Sequence, residues 1–255
     1  PSLADCGYLL EFDSKDDNDP YFKTSNGIKV KFKDDAIDGT SLSTQVKSIV
    51  QDIEDKLDAG NYSAAYEKLD INSVIDQWLI WELTFNREYG DPGSVYMYMN
   101  GDGKLCAGPV WDFDRGTFQN QEKATSLGNT NRVKPDNEWM CWRSAETYIW
   151  YKQLIKDATF QETVQQRWAV IYPYLEMIPD QIRNYGDIQA ESFKYDSVMW
   201  PTNKADVRKY KSDFIDWSGD EEISDWNALI DNFVTVYQER LEGMNTLITS
   251  GDFTK

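Results

Sequence analysis

The chain has 255 residues, enough for one large domain or two small ones and for a substantial core. It is 40% apolar and 14% aromatic, which is not the composition of a disordered chain. A net charge of −18 argues against nonspecific nucleic-acid binding and against docking on an anionic membrane, both of which need a basic face.

The sequence contains no histidine, which excludes His-dependent triads, Cys-His proteases, His-ligated zinc and a histidine general base. Proton transfer must then use Asp, Glu, Lys, Tyr or Cys. Cys6, Cys106 and Cys141 are far apart and form no C-x-x-C pair, so zinc and thioredoxin-like sites have no support. One disulfide with one free thiol and three buried thiols both fit. No run approaches the roughly 20 apolar residues that span a bilayer. The chain opens at Pro1 without Met, as a trimmed fragment would, so the lack of a signal peptide does not argue against export.

In chain order, residues 7–13 carry an apolar, aromatic strand pattern. Residues 14–20 are acidic and turn-rich. Residues 27–33 alternate apolar and basic, which predicts a strand with one face in and one face wet. Val46, Ile49, Val50, Ile53 and Leu57 predict an amphipathic helix over 41–59, ended by Gly60 and Asn61. A short helix over 63–69 follows, then Asn72 and Ser73 as caps for a helix over 74–85 that is apolar on most sides and central to the core. A polar run over 86–94 leads into a hairpin, 95–99 and 104–108, turned by Asn100-Gly101.

Residues 119–136 are polar and aperiodic, as in a surface loop. Helical patterns follow over 160–178, with a kink expected at Pro173, then over 182–199 and 226–248. A small sheet followed by helices is the α+β pattern. No internal repeat is visible.

The chemistry concentrates between Asp76 and Phe118. A buried helix delivers Asn86, Glu88, Asp91 and Ser94, and a hairpin returns the chain to Asp112 and Asp114. Two acidic clusters joined in this way can converge on one site. Phosphoryl transfer needs such an arrangement: one carboxylate to orient or deprotonate the acceptor hydroxyl, others to hold Mg²⁺. Asp112 and Asp114 sit among Pro109, Val110, Trp111 and Phe113, which predicts burial and so a partner, either a metal or Arg115. Lys29, Lys31 and Lys33 are within reach of a phosphate, although alternate lysines on a strand more often form its solvated face. Trp78, Trp81, Trp150 and Trp168 read as core, and Trp139 and Trp142, beside a polar loop, as exposed.

Several motifs together resemble the CotH kinase family, atypical secreted protein kinases named for spore coat protein H. They are Glu82-Leu83, Asn86-Arg87-Glu88, residues 94–98, Gly103-Lys104-Leu105 and the run 108–114, which ends Trp111-Asp112-Phe113-Asp114. Residues 7–11 resemble the strand that precedes this core. The resemblance implies one kinase-like domain over 1–255. Residues 1–40 would be a remnant of the N-terminal strand region, with the front of that lobe missing, and 41–255 a mainly helical lobe. It implies Mg²⁺ and ATP as cofactors and an exported protein substrate, phosphorylated on Ser or Thr at the cell surface or outside the cell. Asp112 matches the family's metal-binding Asp, with Asp114 as a second ligand. Glu88 falls at the catalytic Asp and Ser94 at a metal-holding Asn, with Asp91 able to substitute for either. Asn86 and Lys31 complete the cofactor contacts. Glu for Asp lengthens the arm, and Ser is a weaker metal ligand than an Asn carbonyl, which implies a divergent bacterial branch with altered or weakened activity. The alternative is a noncatalytic surface module that binds a protein or glycan.

Overall fold

The computed structural model describes residues 8–33, 39–86, 89–90, 92–113, 117–118, 139, 141, 149–199 and 226–254, with only the backbone at 196–199. Three strands come first: β1 (Leu9–Phe12), β2 (Tyr21–Lys23) and β3 (Lys29–Phe32). Helices α1 (Ser41–Asp58), α2 (Tyr62–Ala65) and α3 (Ile71–Thr84) follow, then the hairpin β4 (Val95–Met99) and β5 (Leu105–Ala107). The rest is helical: α4 (Tyr151–Leu154), α5 (Ala158–Leu175), α6 (Ile178–Met199) and α7 (Trp226–Ser250). The fold is α+β, as the element pattern predicted.

The five strands form one antiparallel sheet in the order β2-β3-β1-β4-β5. The alternation of side chains sends Leu10, Phe12, Val30, Phe32, Val95, Met97 and Met99 to one face, where all are buried. Phe12 lies opposite both Val30 and Val95, so β1 holds the register of the whole sheet. The same pairing gathers Asp13, Lys29 and Ser94 at one end, while Gly108, which donates its N–H to Tyr96 O at 2.9 Å, lies level with Glu11 and Lys31.

Helix α3 is the hydrophobic centre. Val74, Ile75, Trp78 and Trp81 are at most 1% exposed. Trp78 packs on Trp139 (ring centroids 4.9 Å) and Phe160 (5.5 Å). Truncating such a side chain to Ala typically costs ~3–5 kcal/mol. The N-cap is Asp70, two residues ahead of the expected Asn72-Ser73, and its carboxylate accepts from Ser73 N at 2.8 Å. Ser73 is used elsewhere: its Oγ accepts from Ala107 N at 3.0 Å and ties α3 to β5.

Trp139 is fully buried rather than exposed. It stacks on Phe253 (5.8 Å, interplanar 5°) and donates Nε1–H to Asp252 O at 2.8 Å. Trp142 and the expected loop over 119–136 lie outside the described residues. Strand β2, unforeseen in the sequence, pairs with β3. Helix α5 contains Pro173 and stops two residues later, at Leu175. Cys106 and Cys141 are free, buried thiols; Cys6 is outside the described residues. No described helix is long and apolar enough to cross a membrane.

Candidate functional site

Helix α3 ends on Phe85, a buried residue in the left-handed conformation (φ 55°). A glycine commonly takes this cap; here a large side chain does. The turn sends Asn86 N back to Trp81 O (3.1 Å). Three residues on, Tyr89 is buried and donates its hydroxyl to Glu82 Oε1 at 2.5 Å, with its ring 5.5 Å from Trp81 and 5.6 Å from Tyr151. The loop leaving α3 is therefore anchored at both Asn86 and Tyr89. Glu88, between them, lies outside the described residues, as do Asp91 and Asp114.

The second segment leaves β5 at Ala107. Contrary to the expectation of burial, Asp112 is exposed, as are Val110 (44%) and Trp111 (61%). The reason is topological: β5 is an edge strand, and the chain beyond it no longer has the sheet above it. Phe113 then turns inward and packs on Trp81 at 4.8 Å. Phe118 N donates to Thr84 O at 2.8 Å, and Asn86 Nδ2 donates to Thr117 Oγ1 at 3.0 Å. The run through Asp112 and the end of α3 thus meet.

Asn86 sits at this junction and is fully buried. Ser94 is half-buried at the start of β4. Among the described residues, non-glycine positive φ occurs at Phe85, Ser94 (53°), Asp112 (62°), Phe118 (51°) and Ile149. All but Ile149 lie in the two converging segments. Such conformations cost of order 1–3 kcal/mol each and cluster at functional sites. An exposed carboxylate on a strained backbone, backed by Phe113 in the core, is a fixed oxygen donor of the kind hard divalent cations take.

The lysines of β3 are not a solvated face. All four residues of the strand are buried, and Lys31 is 0% exposed. The acidic segment 14–20, read only as a turn, lies over them like a strap. Lys29 Nζ bonds Asp16 (2.8 Å) and Lys15 O (2.7 Å). Lys31 Nζ bonds Asp13 (2.9 Å) and Asp17, and Lys33 Nζ bonds Glu11 (2.9 Å) and Asp19. Burial disfavours the charge of Lys31, but the bonds from Asp17 and Asp13 overcome it and hold its pKa above the ordinary lysine value. The bond from Asp19, with help from Glu11, raises that of Lys33. Lys29 in turn lowers the pKa of Asp16, as Lys31 does that of Asp17.

Glu11, Asp17 and Asp19 also bring carboxylate oxygens within 4.8 Å of one another, but Lys31 and Lys33 already serve them as counter-ions. The signal for this strap was present in the sequence: carboxylates at 13, 16, 17 and 19 shortly before lysines at 29, 31 and 33.

Neither a curated protein nor a solved structure matches the chain significantly. One family does, described as CotH kinase protein, over residues 2–244. With nearly the whole chain matched and the motif-bearing segments folded together, this protein belongs to the CotH kinase family.

Proposed function

We propose that this domain is a phosphotransferase that uses Mg²⁺–ATP to phosphorylate Ser or Thr of exported proteins. The observation that carries the reading is the meeting of the two segments, through Phe118 N to Thr84 O, Asn86 to Thr117 and Phe113 on Trp81. Asp112 and Asp114 are the residues to hold Mg²⁺, which when bound neutralises charge on the phosphates. Glu88 accepts the proton of the acceptor hydroxyl, with Asp91 beside it in sequence, and Ser94 contributes its hydroxyl at the start of β4. Asn86 acts by tying the loop after α3 to Thr117. The family, with its secreted members, supports an extracellular or cell-surface location.

Calorimetry with Mg²⁺–ATP, paired with a phosphotransfer assay, tests the reading. Asp112→Ala is expected to abolish binding and transfer while leaving the circular dichroism spectrum intact, since the side chain is exposed. Retained transfer would place the site elsewhere.

A second reading is a noncatalytic module for a protein or glycan. It is favoured by the exposed Trp111 (61%), Val110 (44%), Leu9 (40%) and Tyr98 (39%). Absence of any heat with millimolar Mg²⁺–ATP would favour this reading.

A further inference from the structure

Lys29 and Lys31 on the outer face of β3 and Lys33 just past its end form a row, with successive Cα atoms ~6.6 Å apart. A row of ammonium groups at a sheet surface suits a chain of phosphates. Every head in this row is instead held by a carboxylate of the same chain. The order is collinear: Asp16 meets Lys29, Asp17 meets Lys31 and Asp19 meets Lys33. The carboxylates fall into two sets. Asp13 and Glu11 are at most 5% exposed and belong to β1 and its end. The Asp16, Asp17 and Asp19 side chains are 98%, 43% and 33% exposed and belong to the strap.

The strap is fastened by its backbone at its ends, through Ser14 N to Pro92 O (2.6 Å) and Phe32 N to Pro20 O (2.9 Å). Between those ends, among the described residues, its ties to the sheet are the three ammonium groups and the bond from Lys15 N to Asp13 Oδ1 at 2.8 Å. One fastening, Pro92, belongs to the loop that runs from α3 to Ser94, so the strap borders the candidate site.

We infer that the strap over 14–20 is an internal competitor for oligophosphate: its aspartates occupy the lysine row, and a phosphate chain binds there by displacing them. This rests on the phosphotransferase reading only for its physiological ligand, a nucleoside triphosphate. The competition itself is a property of the row and the strap. Displacement exchanges carboxylate–ammonium bonds for phosphate–ammonium bonds and returns Asp17 and Asp19 fully to water. Asp13 and Glu11 stay behind and keep the lysines partly neutralised, which sets a weak affinity for the bare protein.

The test uses inorganic tripolyphosphate in the presence of a chelator, followed by calorimetry on the full chain. The variant Asp16→Asn/Asp17→Asn/Asp19→Asn is expected to bind at least about tenfold more tightly than the parent. A control with the same change of charge, Asp180→Asn/Glu191→Gln/Asp231→Asn on α6 and α7, is expected to stay within about twofold of the parent. Adding Lys33→Gln to the strap variant is expected to remove most of the gain, and adding Lys31→Met to remove all of it. Lys33 is half-exposed, so its variant keeps the test decisive if Lys31→Met fails to fold. Equal affinity of the parent and the strap variant, an equal gain in the control, or a gain that survives both lysine changes would each overturn the inference.

Asp112→Ala separates the two proposals. In the strap variant it is expected to leave metal-free tripolyphosphate binding unchanged. A protein without kinase activity can therefore still show the competition, and an active one can still lack it.

Discussion

Glu82 and Arg240 form an ion pair at 2.9 Å with both side chains fully buried, joining the last turn of α3 to the middle of α7. Arg240 Nε also donates to Glu82 O at 2.8 Å, and the guanidinium lies 5.2 Å from the ring of Phe85. Glu82 Oε1 accepts from Tyr89 OH and from Cys141 N (3.3 Å). One carboxylate therefore holds the helix end, the loop after it and α7 together. Removing one charge of a buried pair leaves the other uncompensated. Arg240→Met and Glu82→Leu are each expected to lose ~3–5 kcal/mol of stability in urea titrations. The double variant should be less unstable than the two losses summed; strict additivity would mean that the charges do not interact.

Gly186 lies where α6 crosses α7, and a Cβ there would come within 2.8 Å of Ile230 Cγ1. Alanine normally favours a helix over glycine by about 1 kcal/mol. Here Ile230 is β-branched and has little freedom to yield. Gly186→Ala is therefore expected to destabilise by ~1–3 kcal/mol, with recovery in Gly186→Ala/Ile230→Ala. A rise in melting temperature for the single variant would show that the helices separate without strain.

Ser94 adopts φ 53°, a conformation that asparagine tolerates better than most residues. An amide carbonyl is also a better metal ligand than a hydroxyl. Ser94→Asn is thus expected to hold or raise stability, by on the order of 0.5 kcal/mol, and to tighten Mg²⁺–ATP binding in calorimetry. Weaker nucleotide binding in a stable Ser94→Asn protein would remove Ser94 from the site.

The charge pairs set a pH window. The carboxyls of Asp16 and Asp17 are held below their ordinary value of 3.8 by Lys29 and Lys31, and that of Asp52 by Lys56 and Lys68. Their contribution is present above pH 3.8 and lost as pH falls through the lowered values. Lys31 and Lys33 are raised above 10.5, so their contribution is whole below pH 10.5 and lost as pH climbs through the raised values. Burial raises Tyr66, Tyr151 and Tyr237 in the same alkaline direction. Melting temperature is expected to be flat between about pH 5 and 9 and to fall on both sides. Asp52→Asn should flatten the acid limb; an unchanged limb would show that its two lysine contacts do not persist in solution.

The sequence carried the helices and the hairpin because each has a local signature. Val46, Val50, Ile53 and Leu57 repeat with the helical period, and Asn100-Gly101 turns β4 into β5. It misplaced residues whose surroundings come from elsewhere in the chain. Trp139 is buried because Phe253 and Asp252, more than a hundred positions on, come back to cover it. The lysines of β3 are buried because a loop folds over them, which alternation along a strand does not encode. Asp112 looked interior because its sequence neighbours are apolar, yet Trp111 points to solvent while Phe113 reaches the core. Of the candidate site, Asn86, Ser94, Asp112 and Lys31 are placed, and Glu88, Asp91 and Asp114 lie outside the described residues.

The position of β1 has a consequence for how the molecule assembles. Leu9 must find Tyr98, and Phe12 must find Val95, before the middle of the sheet exists. Strand β1 therefore waits for the hairpin, with β3 as its earlier partner among the described strands. Such long-range closure slows folding and leaves strand edges bare in the meantime. The half of the sheet that closes last is the one that carries Ser94 and leads to Asp112.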